Sequence, residues 1–237
     1  MGQTEIFAHL YDQREIHNPR SGETGRLDPE EYKLLGADWV RREPPDGIAE
    51  AAGYDAFKTY GDTWDDEFRS LRNVLLQMHS LDSVTTAVLE AGHEVCLFCR
   101  PDLRYHDSFA PALSELLRRS APVALIPRWQ AWFGRNDRFA LLSGRDAIAA
   151  YGQRLRVARR FCETTGQPLH GERLLDWALK DAGIPVRGIG VRASRVRANG
   201  VEKDEDFDHP VVASIKRRWE RERNRFARRG KSRDATR

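Results

Sequence analysis

The residues best suited to chemistry follow a short apolar run near the middle of the chain. Residues 95–99 are continuously apolar, which is typical of a strand buried on both faces in the middle of a parallel sheet. Pro101 has no N–H group and ends this strand, so Arg100 and Asp102 lie at its carboxyl end, where open α/β sheets bind ligands. Asp102 could hold a divalent metal together with phosphate oxygens, because hard cations take oxygen ligands. The alternative is an ion pair with Arg100 or a turn cap.

A second polar group follows a loop that contains several aromatic residues. Asn136, Asp137 and Arg138 come shortly after Trp132, and planar rings beside hydrogen-bonding side chains suit the face of a sugar. The alternative is an Asn/Asp turn packed beside buried aromatic side chains.

Two further pairs are candidates for proton transfer and for phosphate binding. His170 and Glu172 stand where a helix begins, and Glu172 could act there as a general base. The alternative is that Glu172 only stabilises the helix dipole, as acids in a first turn commonly do. Arg195 and Arg197 are two residues apart in an extended segment, so they point to one face and could neutralise a diphosphate. The alternative is a solvated strand face.

The Cys96-x-x-Cys99 motif does not predict a zinc site. Zinc needs about four ligands, and the sequence has no second Cys/His pair at a suitable spacing. Residues three apart on a strand also point to opposite faces. We expect both cysteines to act as small buried hydrophobic residues.

The composition is that of a globular protein in a reducing compartment. The 237 residues include 40% apolar and 32% charged residues and three cysteines, too few for a disulfide framework. No apolar run approaches the ~18 residues of a membrane span, and residues 1–10 do not resemble a signal peptide. We therefore expect a cytoplasmic protein without an integral membrane segment.

Charge is unevenly distributed along the chain. Residues 216–237 hold eleven basic and three acidic residues, a net +8, which leaves −5 for the rest of a chain whose total is +3. This basic segment predicts contact with an anionic surface, either a membrane periphery or nucleic acid, although the remaining chain has no recognisable nucleic-acid module.

Hydrophobic periodicity predicts an α/β domain over residues 1–208 and a basic helical tail over residues 209–237. The longest helical pattern covers residues 65–91, as one helix or as two helices broken near residue 81. Strands are predicted at 5–11, 38–42, 95–99, 122–126, 139–142 and within 184–197. Helices are predicted from residue 28 and at 109–119, 145–162, 172–182 and 211–229.

The order and spacing of short motifs resemble a group of poorly characterised glycosyltransferase-like proteins with a GT-A-like (Rossmann-like) nucleotide-sugar-binding fold. The resemblance spans roughly residues 5–204. It is carried by Ile6-Phe7-Ala8-His9, Tyr60-Gly61-Asp62, Ser70-Leu71-x-Asn73, Arg100-Pro101-Asp102, Asn136-Asp137-Arg138-Phe139, Tyr151-Gly152, His170-x-Glu172 and Arg195-x-Arg197-x-x-Gly200.

The resemblance implies a mixed, mainly parallel sheet flanked by helices, a nucleotide-sugar donor and a glycan or other hydroxyl acceptor. Asp102 would be the last acid of a metal-binding Asp-x-Asp that holds Mn²⁺ or Mg²⁺, with Arg100 in place of the first acid. Glu172 would be the base beside His170, and Gly171 replaces a usual Ser. Asn136, Asp137, Arg138 and Trp132 would contact sugar, and Arg195 and Arg197 would contact phosphate.

One difference from these relatives concerns the start of the chain. The relatives begin with a further strand that ends in a Gly-x-x-Arg-like turn, whereas this sequence starts at what corresponds to their second strand. The resemblance therefore also allows a truncated or degenerate, non-catalytic protein that keeps only sugar or nucleotide binding.

Overall fold

Four strands form the main sheet of this computed structural model, which describes residues 4–18 and 23–208. Their order across the sheet is β5 (Val95–Phe98), β8 (Ala140–Ser143), β7 (Val123–Pro127) and β9 (Val186–Ile189). Strand β8 runs antiparallel to both neighbours, and only β7 and β9 are parallel. The mixed α/β class is confirmed, but the prediction of a mainly parallel sheet is wrong. No helix lies between β7 and β8, so the chain returns beside β7 without the crossover that a parallel pair needs.

The buried centre of this sheet is β7 rather than the predicted strand at residues 95–99. All five residues of β7 are buried. Ala124 and Ile126 pack in one apolar cluster with α3 (Arg69–Glu90) and α5 (Arg145–Gly152). Val123 and Leu125 pack in another cluster on the opposite face, with α4 (Ala110–Leu117). Strand β5 instead lies at the sheet edge, and the prediction that it is central was wrong because an apolar run of five residues does not distinguish an edge strand from a central one.

The helices follow the predicted pattern with one interruption. Helix α3 is a single 22-residue helix, without the break considered near residue 81. The helix predicted over 145–162 is divided into α5, a 3₁₀ turn (Arg154–Val157) and α6 (Ala158–Thr165). Gly152 ends α5, and a Cβ built there would lie 1.8 Å from Thr85 Oγ1 of α3. Close packing of the two helices therefore requires glycine, which has low helix propensity, at the point where the helix ends.

Three small strand pairs and the remaining helices surround the main sheet. Strand β1 (Phe7–Tyr11) pairs in parallel with β4 (Trp39–Glu43), β2 (Glu15–Asn18) pairs with β3 (Glu23–Arg26), and β6 (Leu103–Tyr105) pairs with β10 (Ala193–Arg195). Helix α7 (Gly171–Asp181) packs beside α5, and the 3₁₀ turn Glu31–Leu35 and helices α1 (Ile48–Ala51) and α2 (Tyr54–Lys58) precede α3. The predicted tail over residues 209–237 lies outside the described residues. Within the described part of the chain, no helix has both the length and the apolar character that crossing a membrane requires.

Candidate functional site

A single large cavity brings together most of the residues that the sequence selected. Its volume is about 1350 Å³, larger than the ~300–1,000 Å³ of typical small-molecule pockets. Nine of the ten predicted site residues line it: Arg100, Asp102, Trp132, Asp137, Arg138, His170, Glu172, Arg195 and Arg197. Segments nearly a hundred residues apart in the sequence therefore face one space that has room for a ligand of nucleotide-sugar size.

The tenth residue, Asn136, lies behind the cavity wall. Asn136 is only 1% exposed. Its Nδ2 donates to the carbonyl of Trp129 at 2.7 Å, and its Oδ1 accepts from the N–H of Arg138 at 3.0 Å. This is the Asn turn considered as the alternative in the sequence. Asn136 therefore shapes the loop that presents Asp137 and Arg138, and the prediction that it contacts a sugar is not matched by its position.

Arg100 and Asp102 line the cavity as a closed ion pair. Arg100 donates from Nε to Oδ1 at 2.8 Å and from Nη2 to Oδ2 at 2.6 Å, which is the bidentate geometry of a strong Arg–carboxylate pair. Both carboxylate oxygens are thus bound to Arg100. No described cluster of three His, Cys, Asp or Glu donors includes Asp102. The local donor set therefore fits a divalent metal poorly, and the metal role of Asp102 stays a prediction.

Three cations surround one buried carboxylate on another part of the cavity wall. The side chain of Glu205 is 2% exposed and accepts from Arg195 Nε at 3.0 Å and from Arg138 Nη2 at 3.4 Å. Lys203 lines the same wall. Arg138 also lies over the ring of Trp129, at 4.8 Å from the ring centroid. This part of the wall therefore has three positively charged side chains and one carboxylate, that of Glu205.

Burial and neighbouring charges shift the pKa values of these groups. Burial lowers the pKa of Arg138, and the charges of Arg195 and Arg100 lower it further despite the attraction of Glu205. Burial and then the charge of Arg195 likewise lower the pKa of Lys203. Burial alone would raise the pKa of Glu205, but its cationic neighbours reverse the shift and lower it. An anion bound beside these cations would relieve their mutual repulsion.

Arg197 also lines the cavity, but it pairs with Glu23 rather than with Glu205. Its Nη1 donates to Glu23 Oε2 at 2.9 Å, and the N–H of Ala198 donates to Glu23 Oε1 at 3.1 Å. Strand β10 ends at Arg195, so Arg197 lies beyond the strand, although both arginines line the cavity. Arg195 is therefore the stronger phosphate candidate, since it belongs to the cation cluster.

Glu172 is a buried carboxylate at the start of α7. The residue is 8% exposed, and its Oε2 accepts from the N–H groups of Trp132 and Phe133, both at 2.8 Å. Burial raises the pKa of Glu172 to about 7, with a further contribution from the negative charge of Asp137, while the two N–H groups oppose the rise. A group with this pKa exchanges protons readily near neutral pH, which suits a general base.

His170 and a glycine fix the geometry around Glu172. His170 caps α7: its Nδ1 accepts from the N–H of Glu172 at 3.2 Å, so Nδ1 carries no proton in this arrangement. A Cβ built on Gly134 would lie 2.2 Å from the Glu172 carbonyl oxygen. The aromatic loop can therefore pack against the first turn of α7 only because residue 134 is glycine.

Asp137 reaches the same helix start from the opposite side. A Cβ built on Gly171 would lie 2.5 Å from Asp137 Oδ2, so glycine at this position makes room for the carboxylate. Gln77 Nε2 donates to Asp137 Oδ2 at 3.4 Å, and Arg154 Nη2 lies 3.6 Å from that oxygen. The Arg154 side chain is completely buried. Asp137 therefore compensates a buried arginine and also faces the cavity.

Sequence reasoning missed Arg154, Lys203 and Glu205. Arg154 was part of a predicted continuous helix, and Glu205 was one of several acids in a segment read as a loop. No local signal separates Glu205 from Asp204 or Asp206, because its burial depends on contacts with Arg195 and Arg138 from other segments.

Comparisons with protein-family models, with curated proteins and with solved structures found no match for this chain. The evidence for function therefore comes from the geometry and electrostatics of the cavity.

Proposed function

We propose that this protein binds a nucleotide-sugar donor in the 1350 Å³ cavity and transfers the sugar to an acceptor hydroxyl. The observation that carries the proposal is the presence, in one cavity, of the cation cluster Arg138, Arg195 and Lys203 around Glu205 and of a buried carboxylate, Glu172, whose pKa is raised to about 7. Sugar transfer from a nucleotide donor requires both features, since a diphosphate leaves and a hydroxyl proton must be accepted.

The chemistry assigns one role to each part of the cavity. Arg138, Arg195 and Lys203 stabilise the negative charge that develops on the leaving diphosphate. Glu172 accepts the acceptor proton as the new bond between the acceptor oxygen and the anomeric carbon forms and the bond from that carbon to the donor phosphate breaks. Glu172 then releases the proton to solvent. Asp137 and the exposed ring of Trp132 line the same space and are available to sugar hydroxyls and to a sugar face.

No step in this scheme depends on a metal. Asp102 would be the residue to hold Mn²⁺ or Mg²⁺ with phosphate oxygens, but Arg100 engages both of its oxygens. We therefore assign neutralisation of the diphosphate to the arginines.

A non-catalytic sugar-nucleotide-binding protein is the second candidate. Two observations favour it. Both carboxylate oxygens of Asp102 are bonded to Arg100, and Glu172 Oε2 already accepts hydrogen bonds from two backbone N–H groups. Such a protein would bind the donor without turning it over.

Donor binding is tested by thermal shift with a panel of nucleotide sugars, each with and without Mn²⁺. At ligand concentrations ~100 times the Kd, binding stabilises the fold by about 2.7 kcal/mol, which for a domain of this size raises Tm by roughly 5–10 °C. Arg195→Gln should remove most of this shift, because Arg195 belongs to the cation cluster assigned to the diphosphate. Arg192→Gln is the matched control, since Arg192 also pairs with a carboxylate, that of Asp107 at 2.9 Å, but does not line this cavity. A wild type that no nucleotide sugar stabilises would refute the donor assignment.

Catalysis is tested separately with Glu172→Gln, using the donor that gives the largest shift. Loss of the general base should lower turnover about 10²–10⁴-fold while the thermal shift is kept. Donor binding without wild-type turnover of any acceptor tried would favour the non-catalytic candidate.

A further inference from the structure

A second cluster of potential ligands lies outside the cavity and joins three elements. His9 on β1, Glu43 on β4 and His79 on α3 place one donor atom each within 4.8 Å of one another. His9 Nε2 lies 2.7 Å and His79 Nδ1 lies 3.6 Å from Glu43 Oε1. None of these three residues lines the cavity, and the sequence analysis did not select any of them as a ligand.

We propose that His9, Glu43 and His79 form a binding site for a divalent transition metal, with Zn²⁺ as the best fit. Two imidazoles and one carboxylate are a common zinc donor set, and water completes the coordination in open sites. Metal–ligand distances of about 2.0–2.1 Å in a tetrahedron separate neighbouring ligands by about 3.3 Å. The two distances to Glu43 Oε1, 2.7 and 3.6 Å, lie on either side of this value, so small side-chain movements create the site.

Neighbouring groups already orient the proposed ligands. Ser80 Oγ lies 2.9 Å from His9 Nδ1 and fixes the ring with Nε2 toward Glu43. Arg41 Nη2 donates to Glu43 Oε2 at 2.8 Å and leaves Oε1 directed at the imidazoles. Partners of this kind hold the ligands of natural metal sites in position.

The site also has an access route from solvent. The side chain of His9 is fully buried, whereas those of Glu43 and His79 are 21% and 27% exposed. A hydrated ion can therefore approach Glu43 and His79 first and complete its coordination with His9.

Metal binding would exchange two hydrogen bonds for coordinate bonds. The Tyr11 hydroxyl donates to the carbonyl of Leu76 at 2.8 Å, so in the metal-free arrangement its oxygen accepts from His79 Nδ1 at 3.1 Å. The other exchanged bond is that between His9 and Glu43. In the metal-free arrangement each of these two nitrogens carries a proton, and metal binding must displace it because a coordinating nitrogen offers its lone pair.

The consequence of the site is a link between the β1–β4 pair and α3. This two-stranded pair is not part of the main sheet. A bound ion would fix it against the helix that also supplies Gln77 and Asn73 to the cavity wall.

The test is titration of tag-free, chelator-treated protein with Zn²⁺ alone, followed by calorimetry and by metal analysis after dialysis. Wild type should bind one Zn²⁺ per chain and melt at a higher temperature with Zn²⁺. His79→Ala should weaken binding by at least about 10–100-fold, the loss produced even by removal of an outer partner of a ligand. Glu43→Gln provides a second variant, and circular dichroism establishes that both variants fold.

Two controls separate this site from other zinc binding. His93→Ala removes a histidine that also contacts a carboxylate, Glu5, at 2.7 Å but belongs to no three-donor cluster among the described residues, so Zn²⁺ binding should persist. The double variant Cys96→Ser with Cys99→Ser should also keep binding. Absence of wild-type binding, unchanged affinity in folded His79→Ala and Glu43→Gln, or loss of binding only in the cysteine variant would overturn the proposal.

Discussion

Replacing Glu172 by Gln should stabilise the protein at alkaline pH relative to wild type, and by an amount that depends on pH. Glu172 is 8% exposed, and burial raises its pKa from 4.5 to about 7. The folded state therefore binds more protons than the unfolded state between these two values. Unfolding free energy must then fall as pH rises through this window.

The size of the effect follows from the difference between the two pKa values. Each unit corresponds to 1.36 kcal/mol, so ionised Glu172 destabilises the fold by up to about 3 kcal/mol above pH 7. Below pH 4.5 this destabilisation is absent. Glutamine is similar in size, has an oxygen that can accept from the N–H groups of Trp132 and Phe133, and does not ionise.

Chemical denaturation of wild type and Glu172→Gln at pH 5, 6, 7 and 8 measures this difference directly. The free energy of unfolding of the variant should rise relative to wild type by about 2–3 kcal/mol from pH 5 to pH 8. Glu163→Gln is the control, because Glu163 forms only an exposed pair with Arg159 and such pairs contribute about 0–1 kcal/mol. A difference between wild type and Glu172→Gln that does not vary with pH would refute the raised pKa, and with it the main reason for regarding Glu172 as a base.

Three further predictions concern packing, the cation cluster and the tail. Glu205→Gln should lower the free energy of unfolding by about 3 kcal/mol at pH 7, because it leaves the largely buried Arg138 and the partly buried Arg195 without their carboxylate partner. Since the pKa of Glu205 is lowered in the fold, this loss should shrink as pH falls below 4.5, which denaturation at pH 7 and pH 4 will show. Gly152→Ala should destabilise by about 1–3 kcal/mol in denaturant melts, because its Cβ would meet Thr85, whereas Gly25→Ala has open space and should change little. Deletion of residues 216–237 should leave a cooperative thermal transition, because Trp219 and Phe226 are the only large apolar residues of that segment; loss of cooperativity would place the segment in the core.

The sequence by itself determined the positions of most elements and selected nine residues that line the cavity. Apolar periodicity is a local property, so it located α3, β7 and α7 to within a few residues. The polar residues at the end of β5 were identifiable because Pro101, which ends the apolar run, is also a local signal.

Only the tertiary structure decided the strand order and the chemical state of the site. Strand pairing joins residues far apart in sequence, so periodicity did not reveal that β8 runs antiparallel beside β7 or that β5 is an edge strand. The raised pKa of Glu172 has the same origin, because it depends on burial beneath a loop forty residues earlier in the chain. His9, Glu43 and His79 come together from three elements for this reason too, and their sequence spacing carries no sign of it. Burial and proximity are properties of the folded chain, and they determine which of its ordinary polar residues can bind or react.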